Sequence, residues 1–352
     1  MHVYSFCIFL FFYKMNDLFN ITTEEEFQAA CLETFLYQYE NVEVYRKFVD
    51  FLGKNPSEIK EIKDIPFLPI EMFKNHLVLD KVFGSAKTDK PLSYFQSSGT
   101  TQIQTRSKHY IADFNLYEES IYKSFEQFIG KPEDYIFLGL LPNYSENPHS
   151  SLIYMVDFLM KKSGKPENGY FLYNHQELFE LLQKLGQENK KVILFGVSFA
   201  LLDFLDSITS DFGLRTSDFI VIETGGMKGR KAEMTKDELL EILQKSFGTD
   251  KIYSEYSMTE LLSQAYSLGE NVYETPNWMR VLIRNTEDPF SYLEDGKTGA
   301  INIIDLANRY SCSFIATQDL GRIEKREFEN EKFQVLGRID HSDIRGCSLL
   351  VS

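Results

Sequence analysis

Apolar and polar positions along this chain fall into two kinds of block. "YIFLGLL" (135–141), "KVILFGVS" (191–198), "DFIVIETGG" (218–226) and "KIYSEY" (251–256) are short, nearly unbroken apolar runs of strand length. Between and around them stand segments with helical spacing: "ADFNLYEESIYKSFEQF" (112–128), "SSLIYMVDFLMKK" (150–162), "FALLDFLDSI" (199–208) and "TKDELLEILQKSFG" (235–248). Strands buried on both faces lose the polar alternation of half-exposed ones, and that is the signature of a parallel sheet covered by helices. The β-α-β-α rhythm therefore predicts an α/β fold with a largely parallel sheet.

Upstream, Thr22 or Thr23 is placed to cap a helix with Glu24, Glu25 and Glu26 in its first turn. Phe27, Ala30, Cys31, Thr34 and Phe35 then recur at helical spacing, so helix is expected to about Leu52, with a break near Glu40–Asn41. "DIPFLPIEMF" (64–73) carries two prolines and is expected to be extended or turning. From about Trp278 the texture changes to short strands and turns ("RVLIRN", "GAINIIDL", "SFIAT", "GRIEKREF", "FQVLGR"), which predicts a smaller antiparallel subdomain. The expected division is an apolar N-terminal extension (1–14), an α/β region (15–277), a β-rich subdomain (278–339) and a tail (340–352).

The net charge of −15 leaves no basic footprint for nucleic acid, and it makes local clusters of Lys and Arg more telling. The four cysteines, Cys7, Cys31, Cys312 and Cys347, are widely spaced with no C-x-x-C pair. That argues against zinc and against a disulfide framework, and a reducing cytoplasm is the expected location. Cys312 in "SCSFIAT" reads as a strand residue facing a core. "VYSFCIFLFFY" (3–13) is shorter than the about 20 apolar residues a bilayer span needs, and it lacks a basic n-region. Residues 1–14 are expected to be an extension from an upstream start codon, with Met15 opening the ordinary chain. Aromatics at 14% suit a core or an apolar pocket.

Three stretches carry candidate chemistry, each with a plainer alternative. "YFQSSGTTQIQTRSKHY" (94–110) sets Ser97, Ser98, Gly99, Thr100 and Thr101 beside Arg106, Lys108 and His109. Small hydroxyls and a glycine present several N–H and O–H donors to a phosphate, although the Walker spacing is absent; a solvated polar turn is the alternative. "ETGGMKGRK" (223–231) follows an apolar strand, and Gly225 and Gly226 permit close backbone approach to a flat base; a solvated βα loop is the alternative. "YSEYSMTE" (253–260) delivers Tyr256, Thr259 and Glu260. Glu260 can hold Mg²⁺, which takes oxygen ligands while bridging phosphates, or Thr259 and Glu260 can simply open a following helix.

In this order, and joined by "TQDLG" (317–321) and "GRIDHSDIRGC" (337–347), these motifs resemble the adenylate-forming superfamily of acyl-CoA synthetases and related ligases. Within it, "IPFLPIEMFK" (65–74), "SSGTTQ", "LPNYSENPHSSLIYMVD" (141–157) and "GRIDHSDIRGCSLLV" are similar to the acyl-protein synthetases of the bacterial long-chain aldehyde pathway, over about residues 20–350. The resemblance implies a large α/β domain with parallel sheets flanked by helices and a small C-terminal antiparallel β subdomain. It implies ATP and Mg²⁺ as cofactors, with Ser97–Thr101 as the phosphate loop, Gly225 and Gly226 against adenine, and Tyr256 within the Tyr-Gly-x-Thr-Glu motif. Thr259 would donate to the α-phosphate, Glu260 would bind the metal, Asp319 the ribose hydroxyls, and Arg338 would be the hinge-motif arginine. His149 matches an acyl-pocket position, with a structural histidine as the alternative.

The resemblance further implies a reaction. A carboxylic acid, fatty or aryl, is activated to an acyl adenylate, and the acyl group passes to a thiol. Cys347 is the candidate nucleophile, where Gly346 gives backbone freedom and Arg345 favours the thiolate; a small apolar residue in a terminal strand is the alternative. A reductase or carrier protein would accept the acyl group next. A ligase acting on coenzyme A or acyl-carrier protein, and a catalytically reduced nucleotide-binding scaffold, are the competing functions. The chain departs from the family pattern at Gln102 and Ser257, where glycine is usual. It runs only from Asp340 to Ser352 past the hinge, so the mobile C-terminal domain with its adenylation lysine is expected to be absent.

Overall fold

The structure is a computed structural model that describes residues 15–85, 92–98, 106–143, 145–208, 219–225, 234–325 and 331–339. Residues 1–14 and the C-terminal tail lie outside them. Helix α1 (Glu24–Asn41) starts at a capping box in which Thr23 and Glu26 satisfy one another's backbone donors. It ends at Val42, whose extended backbone separates it from α2 (Glu43–Phe51), so the break falls where Glu40–Asn41 foretell it. The proline-rich segment gives the short strand β1 (Leu68–Pro69) and then a single helical turn, α3 (Met72–Asn75), followed by α4 (Lys81–Ser85).

Strands β2 (Tyr94–Gln96) and β3 (Lys108–Tyr110) pair antiparallel. Then come α5 (Phe114–Phe128), β4 (Ile136–Leu140), α6 (Ser151–Ser163), β5 (Gly169–Tyr170), α7 (His175–Gln187), β6 (Val192–Gly196), α8 (Ser198–Ser207), β7 (Phe219–Glu223), α9 (Lys236–Phe247) and β8 (Ile252–Tyr256). Asp113, Ser150 and Thr235 cap α5, α6 and α9, and α6 and α9 stop at Gly164 and Gly248. The expectations above contain no helix at α7, although its buried Leu178, Leu182 and Leu185 stand at helical spacing.

Five strands, in the order β5-β4-β6-β7-β8, are parallel. Alternate residues of each strand face opposite layers, as the period of two requires. Phe137, Ile193, Phe195, Ile220 and Ile222 join a core with α5, α6 and the N-terminal helices. Leu138, Leu194, Val221 and Ile252 join a second core with α7, α8 and α9.

Beyond β8 the sheet continues with antiparallel β9 (Ala265–Ser267) and β10 (Tyr273–Glu274), while β11 (Met279–Arg284), β12 (Gly299–Asp305), β13 (Phe314–Lys325) and β14 (Lys332–Arg338) extend it further. Strand β14 pairs with both β13 and β10, so these strands and the parallel ones form one 12-stranded sheet. β1 pairs in parallel with β13 on the edge opposite β12, with Leu68 opposite Ile315. Cys312 is buried as expected but precedes β13 rather than lying in it. No described helix is long and apolar enough to cross a membrane.

Candidate active site

The carboxyl ends of β6, β7 and β8 lie on one edge, where open α/β sheets bind ligands. After β7 the chain turns through Gly225, whose φ of 76° is in the left-handed region that glycine adopts without strain. Buried Glu223 holds this turn. Its carboxylate accepts hydrogen bonds from the Gly225 N–H at 2.6 Å and from the Ser198 hydroxyl, and it pairs with the Lys236 ammonium. Burial works against that ammonium, but the charges and hydrogen bonds of Glu223 and Tyr273 together outweigh it and leave the Lys236 pKa raised. Gly226 lies outside the described residues.

Strand β8 delivers Tyr256 to a buried contact with Asp319 of β13, the hydroxyl donating to Oδ2 at 3.0 Å. Arg338 of β14 stands opposite Asp319 in the register and donates from Nε to Oδ1 at 3.1 Å. Burial, then the Asp319 charge, pushes the Tyr256 phenol far above its usual range, so it remains a proton donor. Asp319 is 8% exposed, whereas the Arg338 side chain is 54% exposed and faces solvent. The structure thus brings together three of the sequence-nominated residues from three strands.

Thr259 and Glu260 follow β8 in a turn closed by Leu261 N–H to Met258 C=O at 3.1 Å. No helix begins there, which corrects the alternative reading of these residues as a helix start. The N–H groups of Leu262 and Ser263 are instead taken by buried Asp305, at 2.7 and 3.0 Å. Asn308 donates to the Glu260 carbonyl at 2.7 Å. His109 sits beneath the turn, Nδ1 2.9 Å from the Thr259 carbonyl and Nε2 3.0 Å from Asn308 Oδ1; burial pulls its pKa down to about 4 against these two contacts.

Glu260 is 4% exposed. Burial raises its pKa, opposed by a hydrogen bond from Ser107 and by the charges of Arg338 and Lys74. Ser107 also closes the candidate phosphate loop. The Ser107 N–H donates to Ser97 Oγ, and the Ser97 N–H donates to the Ser107 carbonyl, both at 3.1 Å. The two stems of the loop are therefore clamped beside Glu260. Ser98 is exposed at its start; Gly99, Thr100, Thr101 and Cys347 lie outside the described residues. His149 is exposed and stacks on Tyr94, ring centroids 4.4 Å apart.

Sequence reasoning missed Ser107, Asn308, Asp305 and the Glu223–Lys236 pair, which hold the nominated residues in place. It also passed over Glu255, inside the quoted "YSEYSMTE". Glu255 is 6% exposed, its Oε1 has no hydrogen-bond partner among the described residues, and burial pushes its pKa up to about 7. Its folded pKa exceeds its unfolded one, so the folded state binds more protons between pH ~4.5 and ~7 and stability falls as pH rises through that window. Glu255→Gln is expected to flatten this slope and to stabilise the protein at pH 8 by about 3 kcal/mol. Urea unfolding of both proteins from pH 4.5 to 8 checks it; parallel curves would refute the assignment.

Strand-end loops meeting the Tyr256–Asp319–Arg338 and Glu260 clusters lie on the fold of the adenylate-forming ligases. A 2-hydroxyisobutyryl-CoA ligase superposes with a TM-score of 0.64 at 14% identity, over 90% of this chain and 70% of that one. MatB from Rhodopseudomonas palustris superposes with a TM-score of 0.51 at 16% identity, over 71% of this chain and 49% of that one. The luciferase-like enzyme of the mealworm Zophobas morio gives 0.50 at 14% identity, over 73% and 60%. No curated protein matches the chain. The sequence profile of the acyl-protein synthetases, LuxE, matches residues 17–112 and 152–352, and the chain belongs to that family. It is an adenylate-forming ligase, a class that activates a carboxylic acid as an acyl adenylate.

Proposed function

We propose that this protein uses ATP to convert a fatty or aryl carboxylic acid to its acyl adenylate and then passes the acyl group to a thiol, its own Cys347. The observation that carries the first half is the convergence of the Tyr256–Asp319–Arg338 cluster and the Ser97–Ser107–Glu260 stem on one edge of the sheet. The fold's occupants elsewhere support it. The 2-hydroxyisobutyryl-CoA ligase structure holds an acyl-AMP and CoA, and the MatB structure holds ATP.

In this reading Asp319 accepts the ribose hydroxyls, the Gly225–Gly226 turn packs against adenine, and the Ser97–Thr101 loop with Thr259 donates to the phosphates. Glu260 fits Mg²⁺ as a single carboxylate beside a phosphate loop. Among the described residues no cluster of three or more metal-ligating side chains exists, and Mg²⁺ that shares its shell with phosphates and water needs none. When bound, the ion would offset negative charge on the triphosphate. Buried, free Cys31 and Cys312 suit a reducing cytoplasm. A reductase or carrier protein would take the acyl group onward.

The test is acid-dependent exchange of pyrophosphate into ATP across a panel of acids, with intact-mass analysis of the protein. Wild type is expected to exchange and to gain one acyl mass. Cys347→Ala is expected to keep exchange within about threefold and to lose the adduct. Absence of exchange with every acid would remove the adenylation reading. Exchange without an adduct on wild type would move the acceptor to coenzyme A or a carrier protein.

A further inference from the structure

The fold carries the motif "IPFLPIEMFK" (65–74) to the edge of the site. Its strand β1 pairs with β13, and the Ile70 N–H donates to the Ala316 carbonyl at 3.0 Å. Glu71 accepts a hydrogen bond from Gln318, the neighbour of Asp319. The single turn of α3 therefore hangs from the strand that carries the ribose-side carboxylate. On its other side Phe73 packs edge-on against His109 at 5.6 Å, and His109 touches the Thr259 carbonyl. The turn that ends in Lys74 is thus tied through Glu71 to the neighbour of Asp319 and through Phe73 to the histidine beneath Thr259.

The Lys74 side chain is exposed, and its charge acts on the Glu260 carboxyl together with that of Arg338. Three other described cations near this edge have partners of their own. Arg338 binds Asp319, Lys236 binds Glu223, and Lys108 lies over the Tyr94 ring at 4.9 Å.

We infer that Lys74 is the cation that draws the substrate carboxylate onto the α-phosphate during acyl-adenylate formation. The inference rests on the adenylation reading above and assigns one of its steps. A carboxylate oxygen attacks the α-phosphorus and forms the new P–O bond. The bond from that phosphorus to the α,β-bridging oxygen breaks, and pyrophosphate leaves with the electron pair. No proton moves, so the protein's task is to overcome repulsion between two anions. An ammonium with three rotatable donors on a flexible stem can contact both the carboxylate and a non-bridging phosphate oxygen.

The experiment compares wild type, Lys74→Ala, Lys74→Gln and Lys74→Arg in acid-dependent pyrophosphate exchange, with ATP affinity and thermal midpoint measured alongside. Lys74→Ala and Lys74→Gln are expected to lower the exchange kcat by roughly 30-fold or more, with ATP affinity within about threefold and an unchanged midpoint. Lys74→Arg is expected to retain at least about a tenth of wild-type kcat, because the positive charge stays. Exchange within about threefold of wild type in both neutral variants overturns the role of Lys74 and leaves the adenylation reading standing. Equal losses in the arginine and glutamine variants overturn it too, because charge would then be irrelevant. A wild type that exchanges with no acid removes the adenylation reading and this inference with it.

Discussion

Asp319→Ala is expected to lower acid-dependent pyrophosphate exchange by roughly a thousandfold in kcat/KM for ATP. A carboxylate has about four lone-pair positions and no proton to give. Two are occupied in this structure, by the Tyr256 hydroxyl at 3.0 Å and by Arg338 Nε at 3.1 Å. The remaining capacity matches a vicinal diol, which brings two donors at one spacing. Hydrogen bonds to a charged acceptor contribute ~1.5–3 kcal/mol each, so losing two costs about 4 kcal/mol, the equivalent of the thousandfold. The fold should survive, because the half-exposed Arg338 side chain can turn to water when its partner is removed. The Asp319 backbone is separately held, its N–H donating to Thr317 Oγ1 at 3.1 Å. Steady-state exchange kinetics with a thermal melt decide the matter. A loss under about tenfold with an unchanged melt would mean that Asp319 positions strands rather than nucleotide.

How much of this site a sequence reader can see depends on whether the signal is local. The strands β4, β6, β7 and β8 announce themselves as apolar runs, and Thr23, Asp113, Ser150 and Thr235 mark helix starts by short-range capping chemistry. The order of Ser97–Thr101, Gly225–Gly226, Thr259–Glu260, Asp319 and Arg338 is equally legible, because each sits in a short motif. The supports are different. His109 reaches Asn308 across 199 positions, and Leu262 reaches Asp305 across 43. Nothing in the local pattern around Ser107, Asn308 or Asp305 marks them as partners of the "YSMTE" turn. The turn itself shows the consequence. Thr259 and Glu260 look like a helix start, yet the next N–H groups are claimed by Asp305, so the chain turns into β9 instead. A distant acceptor has overridden a local preference.

Asp305→Ala is therefore expected to be the most damaging single change to stability among the polar residues behind the site. Asp305 is fully buried. Its Oδ2 accepts from the N–H groups of Leu262 and Ser263 at 2.7 and 3.0 Å, and its Oδ1 from the Ser263 hydroxyl at 2.6 Å and the Ala307 N–H at 3.2 Å. Burial raises its pKa while these four donors oppose the rise. Alanine would leave three backbone N–H groups without their side-chain acceptor in a dry core, each costing ~1–3 kcal/mol. The hydroxyl of Ser263 has company in Trp278 Nε1 at 2.9 Å and Ser120 Oγ at 3.0 Å, so part of the network can re-form. A net loss of about 4 kcal/mol follows, and for a protein of this size a fall in melting temperature of roughly 5 °C. Asp305→Asn should cost less, because its carbonyl oxygen still serves one pair of donors while its amide opposes the other. Since the same carboxylate shapes the turn that presents Glu260, both variants should lose pyrophosphate exchange at temperatures where they remain folded. An Asp305→Ala protein that melts within about 2 °C of wild type would show that the turn is held by something other than this carboxylate.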